Sequence, residues 1–374
     1  MTPAMAQPTA QPAAAAETPF LLQPWTGPHG GVPPFDRITP EMFPPALERA
    51  FDSLRAEVKA IAENAAPASF DNVIGALEAS GDDLNRVSAM FNLMTSNMNS
   101  DAYQALDREW SPKYAALFDE INLNPKLFAR IDAVYQKRAS LNLSPTQMRL
   151  LERTWEANVR SGAKLSPADK TKLAGINQEL ATLFTDFNQK LLKDEETFLP
   201  ATEAERKGVP DGVKSAARAA AEERKLGGYA IVNTRSAVDP VLTFADDRRL
   251  RERVWRAFVN RGDNGDANDT NATIARIVKL RAERAKLLGY RTHANLRMAD
   301  TMAVEPAKAE ALMRRVWGPA VARVKEEVAD MAKIAGHAIE PWDYLYFAEK
   351  VRKARYDLSE AETKPYFELN NMIA

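Results

Sequence analysis

Cysteine is absent from the 374 residues. That excludes a thiol nucleophile, a disulfide framework and every cysteine-based metal site, and it leaves the redox compartment open. Histidine is scarce, with only His29, His293 and His337. No two of them stand at the short helical spacing that sets two imidazoles on one face, and H-E-x-x-H does not occur. Ordinary hydrogen bonding accounts for His29 in a Gly-Pro-rich loop, His293 near a helix start and His337 just past a helix end. An excess of one charge is also lacking. Lys and Arg total 50 against 51 Asp and Glu, a net charge of -1, so nothing attracts nucleic acid or anionic lipid in general. No run approaches the roughly 18 to 20 apolar residues of a membrane span. Phosphate loops of the G-x-x-x-x-G-K and G-x-G-x-x-G types and the G-x-S-x-G nucleophile elbow are missing too. From chemistry alone, no catalytic, cofactor-binding or metal residue is assigned.

What is present is a globular composition, 45% apolar and 27% charged, in a chain long enough for one large domain or two packed lobes. Residues 1–19 are rich in Ala, Pro, Thr and Gln and read as a disordered leader. Within them Pro3-Ala4-Met5-Ala6-Gln7 resembles the tail of a secretory signal, without the basic start and apolar run that should precede it. Cytoplasm and periplasm both stay open. Beyond the leader, helix signals follow one another. Thr39-Pro40-Glu41 offers a capping hydroxyl, a first-turn proline and a carboxylate. Ser144-Pro145-Thr146-Gln147 adds a capping-box glutamine, and Ser166-Pro167-Ala168-Asp169 opens a long helix. In that helix Leu173, Ile176, Leu180, Leu183, Phe184, Phe187 and Leu191 form one wide apolar stripe. A helix from about Pro306 to Ile334 ends near Gly336. Only Tyr229-Ala230-Ile231-Val232 reads as a strand, and Val241-Leu242-Thr243-Phe244 is the expected partner across a turn at Asn233–Pro240. The fold class is therefore all-α with one small β-hairpin.

Three further features have a bland reading that outweighs the functional one. The loop Asp263-Asn264-Gly265-Asp266-Ala267-Asn268-Asp269 suggests calcium, but a helix-loop-helix site starting at Asp263 needs glycine where Asn268 stands and glutamate where Ile274 stands. A solvated connecting loop is expected. The basic runs Arg248-Arg249-Leu250-Arg251 and Lys350-Val351-Arg352-Lys353 read as solvated helix faces. Trp155, Phe184, Phe187, Trp255 and Trp317 lie at helical spacing among apolar neighbours and read as core.

A specific pattern appears toward the end. Pro341-Trp342-Asp343-Tyr344 leads into Tyr346-Phe347-Ala348-Glu349-Lys350-Val351-Arg352-Lys353, then Tyr356-Asp357-Leu358 and Lys364-Pro365-Tyr366-Phe367. This resembles the thimet-oligopeptidase-like zinc metallopeptidases, in particular their bacterial peptidyl-dipeptidase branch. The likeness runs collinearly through Pro33-Pro34-Phe35-Asp36, Glu109-Trp110-Ser111-Pro112, Asn122-Leu123-Asn124-Pro125-Lys126-Leu127-Phe128 and Leu287-Leu288-Gly289-Tyr290. It implies an elongated, zincin-like helical protein in two halves flanking a narrow channel for short peptides, with dipeptides released from the free C-terminus. In the family, zinc is held by an H-E-x-x-H pair and a later glutamate, well beyond the stretch resembling Lys364-Pro365-Tyr366-Phe367. Residues 20–374 then correspond to the helical N-terminal half, with the zinc-bearing half absent. No zinc, no catalysis unaided and a separate C-terminal half as partner are expected. A non-catalytic helical peptide- or protein-binding module is the alternative. Limited proteolysis of the intact chain is expected to remove the residues before Phe20 first; protection of that segment would refute the leader.

Overall fold

The computed structural model describes residues 18–27, 31–356, 362 and 364–373. Nearly all of the leader and His29 lie outside the described residues. Helix accounts for 72% of the structure, and the described strands form one two-stranded antiparallel sheet, so the all-α class holds. The chain clusters into two compact units, Met1–Thr182 and Leu183–Ala374.

Unit 1 is built on α1 (Phe43–Ala62), α2 (Asp82–Asn97), α3 (Asp101–Asn122), α4 (Pro125–Gln136) and α5 (Pro145–Arg160). Helix α1 packs on α2, α3 and α4, and α4 on α5. Their shared core contains Phe43, Leu47, Val87, Trp110, Leu117, Ile131 and Leu151. The aromatic members meet edge-on, Phe43 on Phe91 with centroids 5.2 Å apart and Phe51 on Trp110 at 5.5 Å, the arrangement that ring quadrupoles favour.

The helix starts follow the sequence with one exception. Ser144 Oγ accepts from Gln147 N–H at 3.2 Å while Gln147 Oε1 accepts from Ser144 N–H at 2.9 Å, closing the capping box. Ser166 Oγ accepts from Asp169 N–H at 3.2 Å at the start of α6 (Pro167–Glu195). Thr39 makes no side-chain cap: a 3-10 turn, Pro40–Met42, intervenes before α1 begins at Phe43. Pro44 and Pro45 then occupy the first turn and bring no N–H groups, so fewer orphan donors need a cap.

Unit 2 takes up α6 from Leu183 and continues through β1 (Phe198–Ala201), α7 (Asp211–Glu223), β2 (Tyr229–Val232), α8 (Arg235–Phe244), α9 (Arg248–Val259), α10 (Asn271–Leu287), α11 (His293–Met298), α12 (Pro306–Ala335) and α13 (Tyr344–Tyr356). The β element is where the sequence placed one strand and not the other. Tyr229–Val232 pairs with Phe198–Ala201, Phe198 opposite Val232 and Ala201 opposite Tyr229, while Val241–Phe244 closes α8. Val238, Val241 and Leu242 recur at helical steps and are buried in the second core with Leu250 and Val254. Packing of that face overrides the β propensity of a four-residue run. Pro200 obscured β1, because proline counts against a strand unless the strand lies at an edge, and both strands of a two-stranded sheet are edges.

Phe43 is fully buried, so Phe43→Ala is expected to cost about 3–5 kcal/mol through lost transfer energy and the cavity left behind. Leu93→Ala, at a position 40% exposed, is expected to stay within about 0.5 kcal/mol. Urea unfolding of both variants checks the contrast.

Candidate functional site

The described histidines do not converge on a metal. His293 opens α11 half-buried, with Nδ1 buried and unpartnered. Burial first, and then the charges of Arg281, Arg284 and Arg297, hold its imidazole below the ordinary value. His337 follows Gly336, a left-handed residue with φ 71° that stops α12. Its Nδ1 lies 2.7 Å from the Ala338 carbonyl, and its ring meets Phe347 edge-on at 5.6 Å. Among the described residues, no group of three or more His, Asp or Glu could hold a metal ion. The described side chains do not fit a zinc centre.

The acidic loop is organised from beneath by a residue the sequence reading passed over. Asp194, 2% exposed near the end of α6, accepts from Gly262 N–H at 2.7 Å, Asn264 Nδ2 at 3.0 Å and Asn268 Nδ2 at 2.9 Å. Gly262 has φ 73°, and a Cβ there would stand 2.9 Å from both Leu191 and Thr270. The loop carboxylates serve its own turns: Asp263 Oδ1 accepts from Asn271 Nδ2 at 2.6 Å, and Asp269 Oδ1 from Asn271 N–H at 2.8 Å. The clue was the amide-rich spacing Gly262, Asn264, Asn268, which supplies donors rather than cation ligands.

The basic run at the start of α9 corrects a sequence expectation. It is not a solvated face throughout, since Arg251 is 2% exposed and Asp343 is fully buried. Arg251 Nη2 donates to Asp343 Oδ1 at 3.0 Å, and Arg248 Nη2 to Oδ2 at 2.8 Å. Arg248 Nε lies 3.0 Å from Oδ1. Arg251 also donates to the Ala245 carbonyl at 2.7 Å and the Trp342 carbonyl at 3.1 Å. The turn Pro341-Trp342-Asp343 is thereby fixed to the α8–α9 junction, more than ninety residues earlier in the chain. Trp342 adds an edge contact with Trp255 at 5.8 Å and the guanidinium of Arg256 at 5.1 Å. An ion pair of such sequence separation leaves no periodic signal, which is why the run read as solvated. The second basic run does stay at the surface, with Arg352 paired to Glu349 at 2.6 Å.

Two surfaces among the described residues stand out for ligands or partners. In unit 1 a groove of about 970 Å³ lies where α1, α3, α4 and α6 meet, lined by Glu63, Glu120, Leu123, Lys126, Lys170 and Gln178 among others. Lys126 pairs with Glu63 at 2.8 Å and Lys170 Nζ donates to the Leu123 carbonyl at 3.0 Å. A volume of that order accommodates a small ligand, but the lining supplies no nucleophile with an adjacent base. In unit 2 the N-terminal part of α12 is exposed along its length from Ala311 to Ala320. Trp317, expected in the core, is 72% exposed. The other aromatics expected in the core, Trp155, Phe184, Phe187 and Trp255, are half-buried: Trp155 stacks on Tyr135 at 4.1 Å, and the Arg281 guanidinium covers Phe184 at 4.9 Å. Trp317 lies away from the contact with α13, where Tyr344 reaches Glu327, Arg355 pairs with Asp330 and Met331 is buried. Among the described residues, no helix is long and apolar enough to cross a membrane.

Residues 241–374 match Peptidase family M3, and the sequence resembles that family along most of its length. It is 38% identical over 366 residues to the dipeptidyl carboxypeptidase of Escherichia coli (strain K12), covering 95% of this chain and 53% of that protein. It is 38% identical over 349 residues to the dipeptidyl carboxypeptidase of Salmonella typhimurium, covering 91% and 51%. To oligopeptidase A of Salmonella typhimurium it is 26% identical, covering 91% and 52%. The chain spans about half the length of the curated relatives it matches.

Asp343→Ala would leave Arg251 buried beside an empty position, and is expected to destabilise unit 2 by about 3–5 kcal/mol. Burial pushes the Asp343 carboxyl up, but hydrogen bonds from Arg248, then Arg251, outweigh it and hold the group below its ordinary value. A depressed carboxyl stabilises fully above its unfolded value of about 3.9 and loses that contribution as pH falls through the lower folded value. Urea unfolding at neutral and acid pH is therefore expected to show a shallower acid loss in Asp343→Asn than in the parent.

Proposed function

We propose that this chain is the scaffold and channel-wall portion of an M3 zinc metallopeptidase that releases C-terminal dipeptides from short peptides. The observation that carries the reading is the 38% identity to a dipeptidyl carboxypeptidase across 95% of the chain. Supporting it, the Pro341–Tyr344 segment is held by a fully buried carboxylate, and the family-matching region carries an exposed apolar helix face. The zinc, the general base and the groups that stabilise the transition state belong, in this reading, to sequence outside these 374 residues. A hydrolytic metal site needs three protein ligands and an open position for water, and three scattered histidines do not supply it. The role of the chain is then to bind and align an extended peptide while its partner portion performs the cleavage.

The purified chain is expected to retain no stoichiometric zinc after dialysis and to release no dipeptide from a short peptide. Metal analysis giving about one tightly held zinc per chain, or dipeptide release that a chelator abolishes, would return catalysis to the chain itself and overturn the proposal. Peptide binding with full affinity and no dependence on a zinc-bearing polypeptide would put a binding module in its place.

A further inference from the structure

The chain contains a single Asn-Gly pair, Asn264-Gly265, and both residues are exposed on the Gly262–Thr270 loop. Gly265 has φ 66°, and nothing stands within 4 Å of where a side chain would begin. Its backbone nitrogen is therefore open to the side chain that precedes it. That N–H donates to Asp269 Oδ2 at 3.1 Å, a carboxylate placed to take its proton. Hydrogen bonds, led by that from the Asn271 N–H, hold the Asp269 carboxyl below its ordinary value, so it is ionised at neutral pH. The Asn264 amide is engaged on the other side of the loop. Its Nδ2 donates at 3.0 Å to Asp194 Oδ2, the oxygen that also takes the Gly262 N–H at 2.7 Å. Asp194 is buried and these contacts are made by neutral donors, so the loop is held to α6 only while position 264 has an N–H to offer.

We propose that Asn264 is a site of spontaneous deamidation, and that its conversion releases the Gly262–Thr270 loop from α6. The Gly265 nitrogen attacks Asn264 Cγ and passes its proton to Asp269 or to solvent. A Cγ–N bond forms, the Cγ–Nδ2 bond breaks, and Nδ2 leaves as ammonia. Water then opens the cyclic imide at either carbonyl and leaves aspartate or isoaspartate at position 264. The net change is amide plus water to carboxylic acid plus ammonia, with no oxidant and no second polypeptide. Before the step, position 264 donates to Asp194; afterwards it carries a carboxylate, which at neutral pH only accepts. Two carboxylates at hydrogen-bond distance disfavour each other's ionised form, and the exposed one moves out into water. Asp194 keeps the Gly262 and Asn268 donors and loses the one that lies between them in the loop. Isoaspartate also lengthens the backbone before Gly265, which draws the Gly265 N–H away from Asp269.

The full chain is kept folded in mildly alkaline buffer at body temperature, sampled over weeks, and mapped by mass spectrometry after digestion in acid. Position 264 is expected to gain the mass that separates an acid from an amide, as a mixture of aspartate and isoaspartate. Asn264→Gln is expected to show no such gain there. Brief trypsin treatment of the folded samples then reports on the loop. Arg261 is half-buried and paired with Glu195 at 2.6 Å, so cleavage after it follows the population in which the loop is open. That cleavage is expected to rise on the order of tenfold in the converted fraction and in Asn264→Asp, as for loss of a hydrogen bond to a charged group. In aged Asn264→Gln it is expected to stay at the rate of the fresh variant. Retention of the amide at Asn264 in the folded chain overturns the site. Conversion that leaves cleavage after Arg261 unchanged, or that spreads cleavage across unit 2 as general unfolding would, overturns the release.

Discussion

The second unit depends on a carboxylate with no access to water. Asp343 is fully buried, and an ionised group in that position is tolerated only when its lone pairs are met by well-placed donors. Arg248 and Arg251 provide the countercharge, and the Glu340 N–H at 3.2 Å adds a fourth direction. Each guanidinium is itself constrained. Arg251 spends its remaining N–H groups on the carbonyls of Ala245, Asp246 and Trp342, so the α8–α9 junction and the Pro341 turn cannot shift independently. Helix α13 begins at the residue after Asp343 and packs on α8 and α12. Displacement at the carboxylate would therefore be transmitted to three helices.

A second buried carboxylate in the same unit is met differently. Asp194 takes neutral donors, one backbone amide and two asparagine side chains, and so fixes the shape of a loop rather than the docking of helices. Charge-assisted pairs are the stronger bonds, and they stand where separate elements must be held together. The amide donors stand where a single loop, Gly262 to Thr270, must be kept in one conformation against α6. The loop's exposed aspartates are consumed by its own turns, which explains why an acidic sequence carries no cation cage.

The two units differ in the surface that each presents. The first unit closes a larger core, from Leu21 through Leu151, and carries a groove lined by both charged and apolar side chains. The second closes a smaller core around Val238, Leu242 and Val254 and leaves much of α12 in solvent. The network at Asp343 supports α13, the helix on which α12 rests.

The sequence by itself determined what depends on neighbours along the chain. The capping box at Ser144, the cap at Ser166, the Gly336 stop and the α6 stripe, buried at Leu173, Ile176 and Leu180 and half-buried at Leu183, Phe184, Phe187 and Leu191, follow from spacings of one to four residues, which a helix converts directly into a shared face. The family was legible as well, because motifs such as Pro341-Trp342-Asp343-Tyr344 are strings of adjacent residues. Only the tertiary structure decided what depends on residues far apart. It paired Tyr229–Val232 with Phe198–Ala201 instead of Val241–Phe244, buried Arg251 within an apparently solvated run, and left Trp317 outside a core its spacing had promised. In each case the local pattern fitted more than one environment. The choice was made by the energy of burying a particular face or charge against a partner that sequence separation concealed.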